Sequence, residues 1–224
     1  MKKSKKIIIV GDSAFAEIAY EYFTYDSEYE VVAFSVESEY LHKREMFGLP
    51  VVAFETLETQ YEPDNHYFFV AAVYTQLNRL RTRLYQEAKK KGYHAASYIS
   101  SNAFVWKNAE LGEHCFIFED NTVQPFVKIG NNVVLWSGNH IGHHSKISDN
   151  CFIASHVVLS GYVEIGQNCF LGVNATISNN LTIQNDCIVG AGAVVVKNVE
   201  EDKVVKGVVQ EPKGSARRIS RVKA

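Results

Sequence analysis

A period of six governs the second half of the chain. Seventeen aliphatic residues, each Ile, Leu or Val, follow one another at this spacing without interruption. A helix repeats near 3.6 residues and a strand near 2, so neither alone holds a period of six over about a hundred residues. A parallel β-helix does, because each hexad supplies one short strand and a corner, and three hexads close a triangular coil that stacks residues eighteen apart. The positions are Ile99, Val105, Leu111, Ile117, Val123, Ile129, Leu135, Ile141, Ile147, Ile153, Leu159, Ile165, Leu171, Ile177, Ile183, Val189 and Val195.

The composition excludes several classes of protein. The 224 residues suffice for two modest domains. A formal net charge of −2 provides no general attraction to nucleic acids or anionic membranes. The apolar run after the basic start, Ile7 to Val10, is too short for a secretory signal or a membrane span. We therefore expect a cytoplasmic protein that binds neither nucleic acid nor membrane.

Four cysteines share the fifth position of their hexads. Cys151, Cys169 and Cys187 are spaced by eighteen, so they stack in one column, and Cys115 falls on the same face. That position otherwise holds mostly Ala, Val or Ser, the small residues that a narrow coil interior needs. We therefore predict reduced, buried packing cysteines rather than disulfides or zinc ligands. No metal cofactor is expected.

Two domains and a tail are predicted. Residues 1–98 alternate strand-like and helix-like segments, which implies a parallel sheet with a ligand crevice at the carboxyl ends of its strands. Residues 99–200 form the β-helix, a little over five coils without a long inserted loop. The period ends after Val195, and residues 201–224 are interpreted as part of a polar, basic, partly extended tail packed on the last coil.

One cluster on the predicted β-helix contains candidate catalytic residues. Polar, aromatic and flexible residues gather between Trp136 and His144. His143 is the third residue of its hexad, and the third residue one coil later is Gly161. Because glycine has no Cβ, an acyl group and a backbone N–H can approach the imidazole there. A base beside an exposed amide is the minimal apparatus for direct acyl transfer. The alternative is that His143 merely fills a polar surface turn.

The chain resembles the sugar acetyltransferases of the left-handed β-helix (hexapeptide-repeat) superfamily. It is similar to the branch that contains sialic acid O-acetyltransferases and the N-acetyltransferases of nucleotide-linked 4-amino-sugars. The similarity is most evident at residues 138–144 and 169–174. It implies an α/β, Rossmann-like N-terminal domain that binds a nucleotide sugar, followed by a left-handed parallel β-helix. It also implies a homotrimer with the acceptor between adjacent subunits, working in surface polysaccharide (O-antigen) synthesis.

The resemblance assigns roles to individual residues. His143 matches the general base, which removes a proton from a sugar amine as that amine attacks the thioester of acetyl-CoA. The backbone N–H of Gly161 stabilises the oxyanion, and no cysteine is needed as a nucleophile. Coenzyme A is expected to contact Gly161, Val173, Ala191 and Gly192.

Two positions depart from the pattern of the relatives. In the relatives an acidic residue commonly follows the base, whereas this chain has His144. A histidine cannot orient the base as an anion does. The alternative role for His144 is a hydrogen bond to the substrate. Trp136 stands where some N-acetyltransferases have asparagine, which suggests stacking on a sugar, with subunit packing as the alternative. Asn139 is grouped with it as an acceptor contact. His156 is either a coenzyme or acceptor contact or an ordinary exposed or interface residue.

The loop after the first strand is a weaker signal. Gly11 begins the turn where relatives have a glycine-rich sequence, but only this first glycine is present, so it is a poor NAD fingerprint. By the resemblance the nucleotide of the sugar substrate occupies this crevice, and a purely structural turn is the alternative. The residues expected to line the crevice are Gly11, Ser13, Ala14, Glu37, Ser38 and Tyr74.

Several functions fit the pattern. The leading hypothesis is an acetyl-CoA-dependent N-acetyltransferase acting on a nucleotide-linked 4-amino-4,6-dideoxysugar, and sugar O-acetylation is the near alternative. A γ-type carbonic anhydrase shares the trimeric β-helix but requires three histidines on zinc and no nucleotide-binding domain. A non-catalytic scaffold remains the simplest option.

Overall fold

The structure is a computed structural model that describes residues 2–207. Residues 208–224, most of the segment predicted as a C-terminal tail, lie outside the described residues. Within the described range, no helix combines the length and apolar character needed to cross a bilayer.

Helices and strands alternate in an N-terminal α/β domain. Its elements are β1 (Lys5–Val10), α1 (Ala14–Tyr25), β2 (Tyr29–Val36), β3 (Glu45–Met46), β4 (Leu49–Ala53), β5 (His66–Val70), α2 (Arg79–Lys90) and β6 (His94–Ala95), with short 3₁₀ helices at Ser38–Tyr40, Leu57–Thr59 and Pro63–Asn65. The apolar run of β1 is fully buried, as expected for a central strand covered on both faces. Helix α2 begins only at Arg79, because Gln76, Leu77 and Asn78 before it all have positive φ.

The sheet of this domain is mixed. Its strand order is β3-β4-β2-β1-β5-β6. The five strands β4-β2-β1-β5-β6 pair in parallel, as predicted, but the edge strand β3 pairs antiparallel with β4. The reversal follows from a two-residue turn at Phe47 and Gly48, both at positive φ, since so short a connection permits only antiparallel pairing. A Rossmann-like domain is therefore not confirmed. Strand β1 lies between β2 and β5, which opens a crevice at its carboxyl end.

The remaining strands are the two-residue rungs of a parallel β-helix. They are β7 (Tyr98–Ile99), β8 (Phe104–Val105), β9 (Glu110–Leu111), β10 (Phe116–Ile117), β11 (Thr122–Val123), β12 (Lys128–Ile129), β13 (Val134–Leu135), β14 (His140–Ile141), β15 (Lys146–Ile147), β16 (Phe152–Ile153), β17 (Val158–Leu159), β18 (Glu164–Ile165), β19 (Phe170–Leu171), β20 (Thr176–Ile177), β21 (Thr182–Ile183), β22 (Ile188–Val189), β23 (Val194–Val195) and β24 (Val204–Val205). Every third strand pairs in parallel, with partners eighteen residues apart up to β23. This geometry fits the predicted left-handed β-helix.

The predicted aliphatic column fills the interior. From Ile117 to Val195 every member is buried, whereas Ile99 in the first coil is 41% exposed because no earlier coil covers it. The four cysteines are free and buried in the same core, as predicted. Burial raises the pKa of the Cys115 thiol to about 11. These thiols are therefore packing groups.

The β-helix has three faces with different chemistry. The covered face (β7, β10, β13, β16, β19, β22 and β24) packs mainly aromatic side chains against the N-terminal domain. The uncharged face (β8, β11, β14, β17, β20 and β23) presents Phe104, Thr122, His140, Val158, Thr176 and Val194. The charged face (β9, β12, β15, β18 and β21) presents Glu110, Lys128, Lys146, Glu164 and Thr182.

The rungs continue past residue 200, the predicted end of the β-helix. Val199 forms a bridge to Ile183, and β24 pairs with β22. Both steps span sixteen residues instead of eighteen, because the last coil takes shorter corners than the strict hexads. A period of six cannot reveal such rungs. Residues 204–205 therefore belong to the β-helix rather than to a tail.

The N-terminal domain packs against the covered face of the β-helix. Aromatic rings of α1 contact those of the first coils, at Phe15, Tyr22, Phe23, Tyr98, Phe116 and Phe118. Arg81 of α2 is completely buried and donates to the carbonyl oxygens of Asn132 (2.8 Å) and Cys151 (3.2 Å). Burial lowers the pKa of Arg81 to about 10. The crevice of the N-terminal domain is thus held in a defined place beside the β-helix.

Candidate active site

His143 and Gly161 lie against each other on one corner of the β-helix. This corner follows the uncharged face, and we call it the histidine corner. It consists of residues 125–127, 143–145 and 161–163. A Cβ added to Gly161 would lie 2.7 Å from both Cε1 and Nε2 of His143, so only glycine leaves room for the imidazole. The backbone N–H of Gly161 donates to no acceptor among residues 2–207. The exposed side chain of His143 therefore lies beside a free amide donor.

His143 is oriented by its neighbours. Its backbone N–H donates to Oε1 of Gln124 at 2.9 Å. Its Nδ1 lies 3.1 Å from Nδ1 of His144, and the two rings are nearly perpendicular. With Nδ1 engaged in this contact, Nε2 is the nitrogen that faces Gly161. The predicted contact between His143 and Gly161 is thus present in the structure.

Stacked aromatic rings hold His144. Its ring lies between those of Phe126 (centroids 4.6 Å apart) and Tyr162 (4.7 Å apart). All three residues have φ near +60°. Gln124, Phe126 and Tyr162 are not among the residues predicted from the sequence. For Phe126 and Tyr162 the available signal was their spacing of eighteen from His144, because residues at that spacing stack in a β-helix.

The other residues expected to bind coenzyme A lie on a different corner. Val173, Ala191, Gly192 and His156 follow strands of the covered face, at a corner formed by residues 119–121, 137–139, 155–157, 173–175 and 191–193, which we call the glycine corner. All four are exposed or nearly so, and the ring of His156 occupies the space that a Cβ on Gly138 would need. The uncharged face separates this corner from His143. One chain does not bring the two sets together.

Trp136 and Asn139 have structural partners within the chain. Trp136 is half-buried and stacks on Phe118, with ring centroids 4.3 Å apart. Asn139 is 1% exposed, its Nδ2 donates to the carbonyl oxygen of Trp136, and its Oδ1 accepts the N–H of Val157 at 2.7 Å. Asn139 is therefore a buried corner residue with no surface left for a substrate, which corrects the expectation of an acceptor contact.

A carboxylate that the sequence analysis missed lies at the glycine corner. Glu119 accepts hydrogen bonds from the hydroxyls of Tyr22 and Ser137. Burial alone would raise the pKa of Glu119, but the bonds from Ser137 and Tyr22 outweigh it and hold the pKa below its usual range. Burial and the same carboxylate raise the pKa of Tyr22 to about 12. The ionised Glu119 thus ties α1 to the β-helix.

The crevice of the N-terminal domain is a cleft of about 740 Å³ at the carboxyl ends of β1, β2 and β5. Gly11, Ser13 and Glu37 line it, as predicted. A Cβ at Gly11 would meet the carbonyl oxygen of Ala71 at 3.0 Å, and φ there is +130°, so the turn requires glycine. Arg79 and Arg83 of α2 also line the cleft and were not anticipated.

Three residues expected in the cleft do not line it. Ala14 is exposed at the start of α1. Ser38 is bonded through both its N–H and its hydroxyl to the carboxylate of Glu55. Tyr74 packs on Phe170 of the covered face, with ring centroids 4.3 Å apart. These placements depend on tertiary contacts, which the strand–loop pattern does not contain.

In the described range, no three His, Cys, Asp or Glu side chains converge as the ligands of a metal ion do. The histidines between residues 136 and 156 lie on different structural elements. His140 lies on the uncharged face, His143 and His144 on the histidine corner, and His156 on the glycine corner.

Comparison with known proteins agrees with this architecture. The sequence profile of the bacterial transferase hexapeptide (six repeats) family matches residues 126–161 and 162–197. No curated protein sequence matches the chain.

Solved structures match over almost the whole chain. A histidine-to-asparagine variant of perosamine N-acetyltransferase from Caulobacter crescentus, in complex with CoA and GDP-perosamine, is 26% identical, with a TM-score of 0.81 over 94% of this chain and 97% of its own. The acetyltransferase domain of PglB from Neisseria gonorrhoeae is 21% identical, with a TM-score of 0.81 over 91% of this chain and 97% of its own. WeeI from Acinetobacter baumannii is also 21% identical, with a TM-score of 0.70 over the same shares.

The two similarities at 21% identity establish the fold alone. The repeat profile and the 26% identical acetyltransferase complex also indicate an acyltransferase. Residues 126–197 carry the repeats of the bacterial transferase hexapeptide family, and over 94% of its length the chain is similar to a sugar N-acetyltransferase.

Proposed function

We propose that this chain transfers an acetyl group from acetyl-CoA to the amino group of a nucleotide-linked 4-amino-4,6-dideoxysugar. The observation that carries the proposal is the packing of His143 Nε2 against Gly161, whose missing side chain leaves room for the imidazole beside its free N–H. The 26% identity to an acetyltransferase complexed with CoA and GDP-perosamine supports this choice of donor and acceptor class. Sugar O-acetylation is the alternative, since it uses the same base and donor.

The proposed reaction is a direct transfer. The neutral sugar amine attacks the thioester carbonyl carbon, and Nε2 of His143 takes the proton that the nitrogen loses. The free N–H of Gly161 donates to the oxyanion of the tetrahedral intermediate, which then expels the CoA thiolate. No acyl-enzyme forms. This agrees with the burial of all four cysteines, which leaves no exposed thiol nucleophile among the described residues.

We further propose that the cleft of the N-terminal domain, acting as a Rossmann-like site, holds the nucleotide. Its position at the carboxyl ends of parallel strands, where the chain crosses to either side of β1, is typical of nucleotide sites. Arg79 and Arg83 place two cations on its wall, suited to a diphosphate. Arg83 is paired with both oxygens of Glu37 at 2.8 and 2.9 Å, so Glu37 also positions this cation.

A homotrimer is proposed as the active assembly. The uncharged face bears no Asp, Glu, Lys or Arg on its outward strand positions, and Phe104, Val158 and Val194 are 53%, 38% and 66% exposed. Its two edges are the histidine corner and the glycine corner. Association through this face would bring the base of one copy near the expected coenzyme contacts of the next, which a single chain keeps apart.

The assembly is tested by a matched pair of charge substitutions. Val158→Glu, on the uncharged face, is expected to shift the mass measured by light scattering from trimer to monomer and to abolish transfer. Lys146→Glu, on the charged face, is expected to leave both unchanged. A wild-type monomer with full activity contradicts the trimer.

We also propose that the reaction serves surface polysaccharide synthesis in the cytoplasm. The free, buried thiols support a reducing compartment, and the similarity to sugar acetyltransferases supports the role.

Steady-state assays test the reaction. GDP-perosamine and dTDP- and UDP-linked 4-amino sugars are compared with a hydroxyl sugar as acceptors for acetyl-CoA. We expect turnover of an amino sugar, and His143→Ala is expected to lower kcat by about 10²–10⁴-fold, the usual contribution of a general base. Turnover of the hydroxyl sugar alone favours O-acetylation. Unchanged kcat in His143→Ala refutes the proposed base.

A further inference from the structure

The contact between His143 and His144 restricts where protons can lie. The two Nδ1 atoms are 3.1 Å apart, a hydrogen-bonding distance, so one of them carries the proton and the other accepts it. A neutral imidazole carries one proton on only one of its two nitrogens. If His143 donates from Nδ1, its Nε2 is unprotonated. If His144 donates, the neutral His143 must be protonated on Nε2. The direction of this one hydrogen bond therefore decides whether the nitrogen that faces Gly161 can act as a base.

We propose that His144 is the positioning residue of the base: its neutral Nδ1 accepts the Nδ1–H of His143 and holds Nε2 of His143 free over Gly161. The proposal rests on the proposed acetyl transfer, for which Nε2 must accept a proton. In the same state the neutral His144 carries its own proton on Nε2. A neutral ring thus does what an anionic neighbour does elsewhere, by accepting one hydrogen bond.

The surroundings of His144 favour this role. Its ring is clamped between Phe126 and Tyr162, which leaves its edge directed at His143. Tyr162 is the titratable side chain that packs on both imidazoles, and it faces His143 edge-on and His144 face-on. In the described part of the chain, no hydrogen bond or ion pair joins either ring to a carboxylate, lysine or arginine. His144 is therefore the side chain available to select the tautomer of His143.

Proton counting gives the catalytic consequence. The neutral pair holds two protons, one between the Nδ1 atoms and one on a remaining Nε2. When His143 Nε2 takes the proton of the amine, all three sites are filled and the pair bears one positive charge. The Nδ1–H bond is then donated by an imidazolium, and charge-assisted bonds are about twice as strong as neutral ones. His144 thus stabilises the state formed as the proton is transferred.

Two substitutions separate hydrogen bonding from packing. His144→Phe keeps an aromatic ring between Phe126 and Tyr162 but removes the acceptor. The backbone suits it, because Phe126 holds the same φ in the same column. His144→Asp restores an acceptor, and Asp120 shows that aspartate adopts this φ in the β-helix. We expect kcat to fall by about 10- to 100-fold in His144→Phe, the value of one hydrogen bond to a charged group, with both KM values unchanged. His144→Asp is expected to recover most of the loss.

Nitrogen-15 NMR of the free protein tests the tautomer without substrate. In the wild-type protein, at a pH where both imidazoles are neutral, we expect the proton of His143 on Nδ1 and that of His144 on Nε2. In His144→Phe, His143 is expected to lose this preference. A neutral His143 protonated on Nε2 in the wild type overturns the inference, as does a His144→Phe variant with full kcat or an Asp variant no better than Phe. Failure of the acetyl-transfer proposal is separate, because it appears as absent turnover or as an active His143→Ala variant.

Discussion

Gly161→Ala is the smallest change that tests the proposed site. The added methyl group would lie 2.7 Å from Cε1 and Nε2 of His143, whereas ordinary contacts begin near 3.4 Å. The imidazole must therefore retreat by about 0.7 Å, and a displacement of about 1 Å in a catalytic group can cost 10²-fold in rate. Gly161 is not at positive φ, so alanine fits the backbone and the β-helix should keep its melting temperature. We expect kcat to fall by about 10²-fold.

A double-mutant cycle identifies the cause of this loss. In a His143→Ala background the ring that clashes is gone, so Gly161→Ala is expected to have almost no further effect on kcat. The four proteins are compared by steady-state acetyl transfer and by thermal unfolding. If Gly161→Ala alone keeps the wild-type kcat, or if its effect is the same in both backgrounds, the reasoning from this contact is refuted.

Three further predictions follow from other parts of the structure. Burial lowers the pKa of His114 to about 3, below about 6.5 for a free histidine, so the unfolded chain takes up the proton first as the pH falls. Unfolding free energy should therefore drop by about 2 kcal/mol between pH 7.5 and 5, a loss that denaturant titration should not find in His114→Gln. Asn139→Ala is expected to lose about 1–3 kcal/mol of stability with kcat unchanged, and the reverse pattern would restore its role as a substrate contact. Ser13→Tyr, which fills the cleft, should raise KM for the nucleotide sugar but not for acetyl-CoA, and equal effects on both would place the nucleotide elsewhere.

The domain interface shows why the position of the cleft relative to the β-helix could not be predicted. Arg81 looks like a solvated residue on a basic helix, yet it is completely buried and donates to two carbonyl oxygens of the β-helix. Tyr74 follows an apolar strand, the usual position for a cleft residue, but packs on Phe170 instead. Both depend on how two domains meet, and that is a property of complementary surfaces rather than of any local pattern.

The hexad period alone determined the β-helix, its buried aliphatic column and the stacking of His143 on Gly161, because each coil repeats the same short-range geometry and eighteen residues return the chain to the same corner. The tertiary structure decided what the period does not encode: the antiparallel hairpin at the sheet edge, the shortened last coil, and the direction in which His144 points. A strict repeat places a residue at a corner, but it does not fix the orientation of the side chain. That orientation depends on packing against rings eighteen residues away in the sequence.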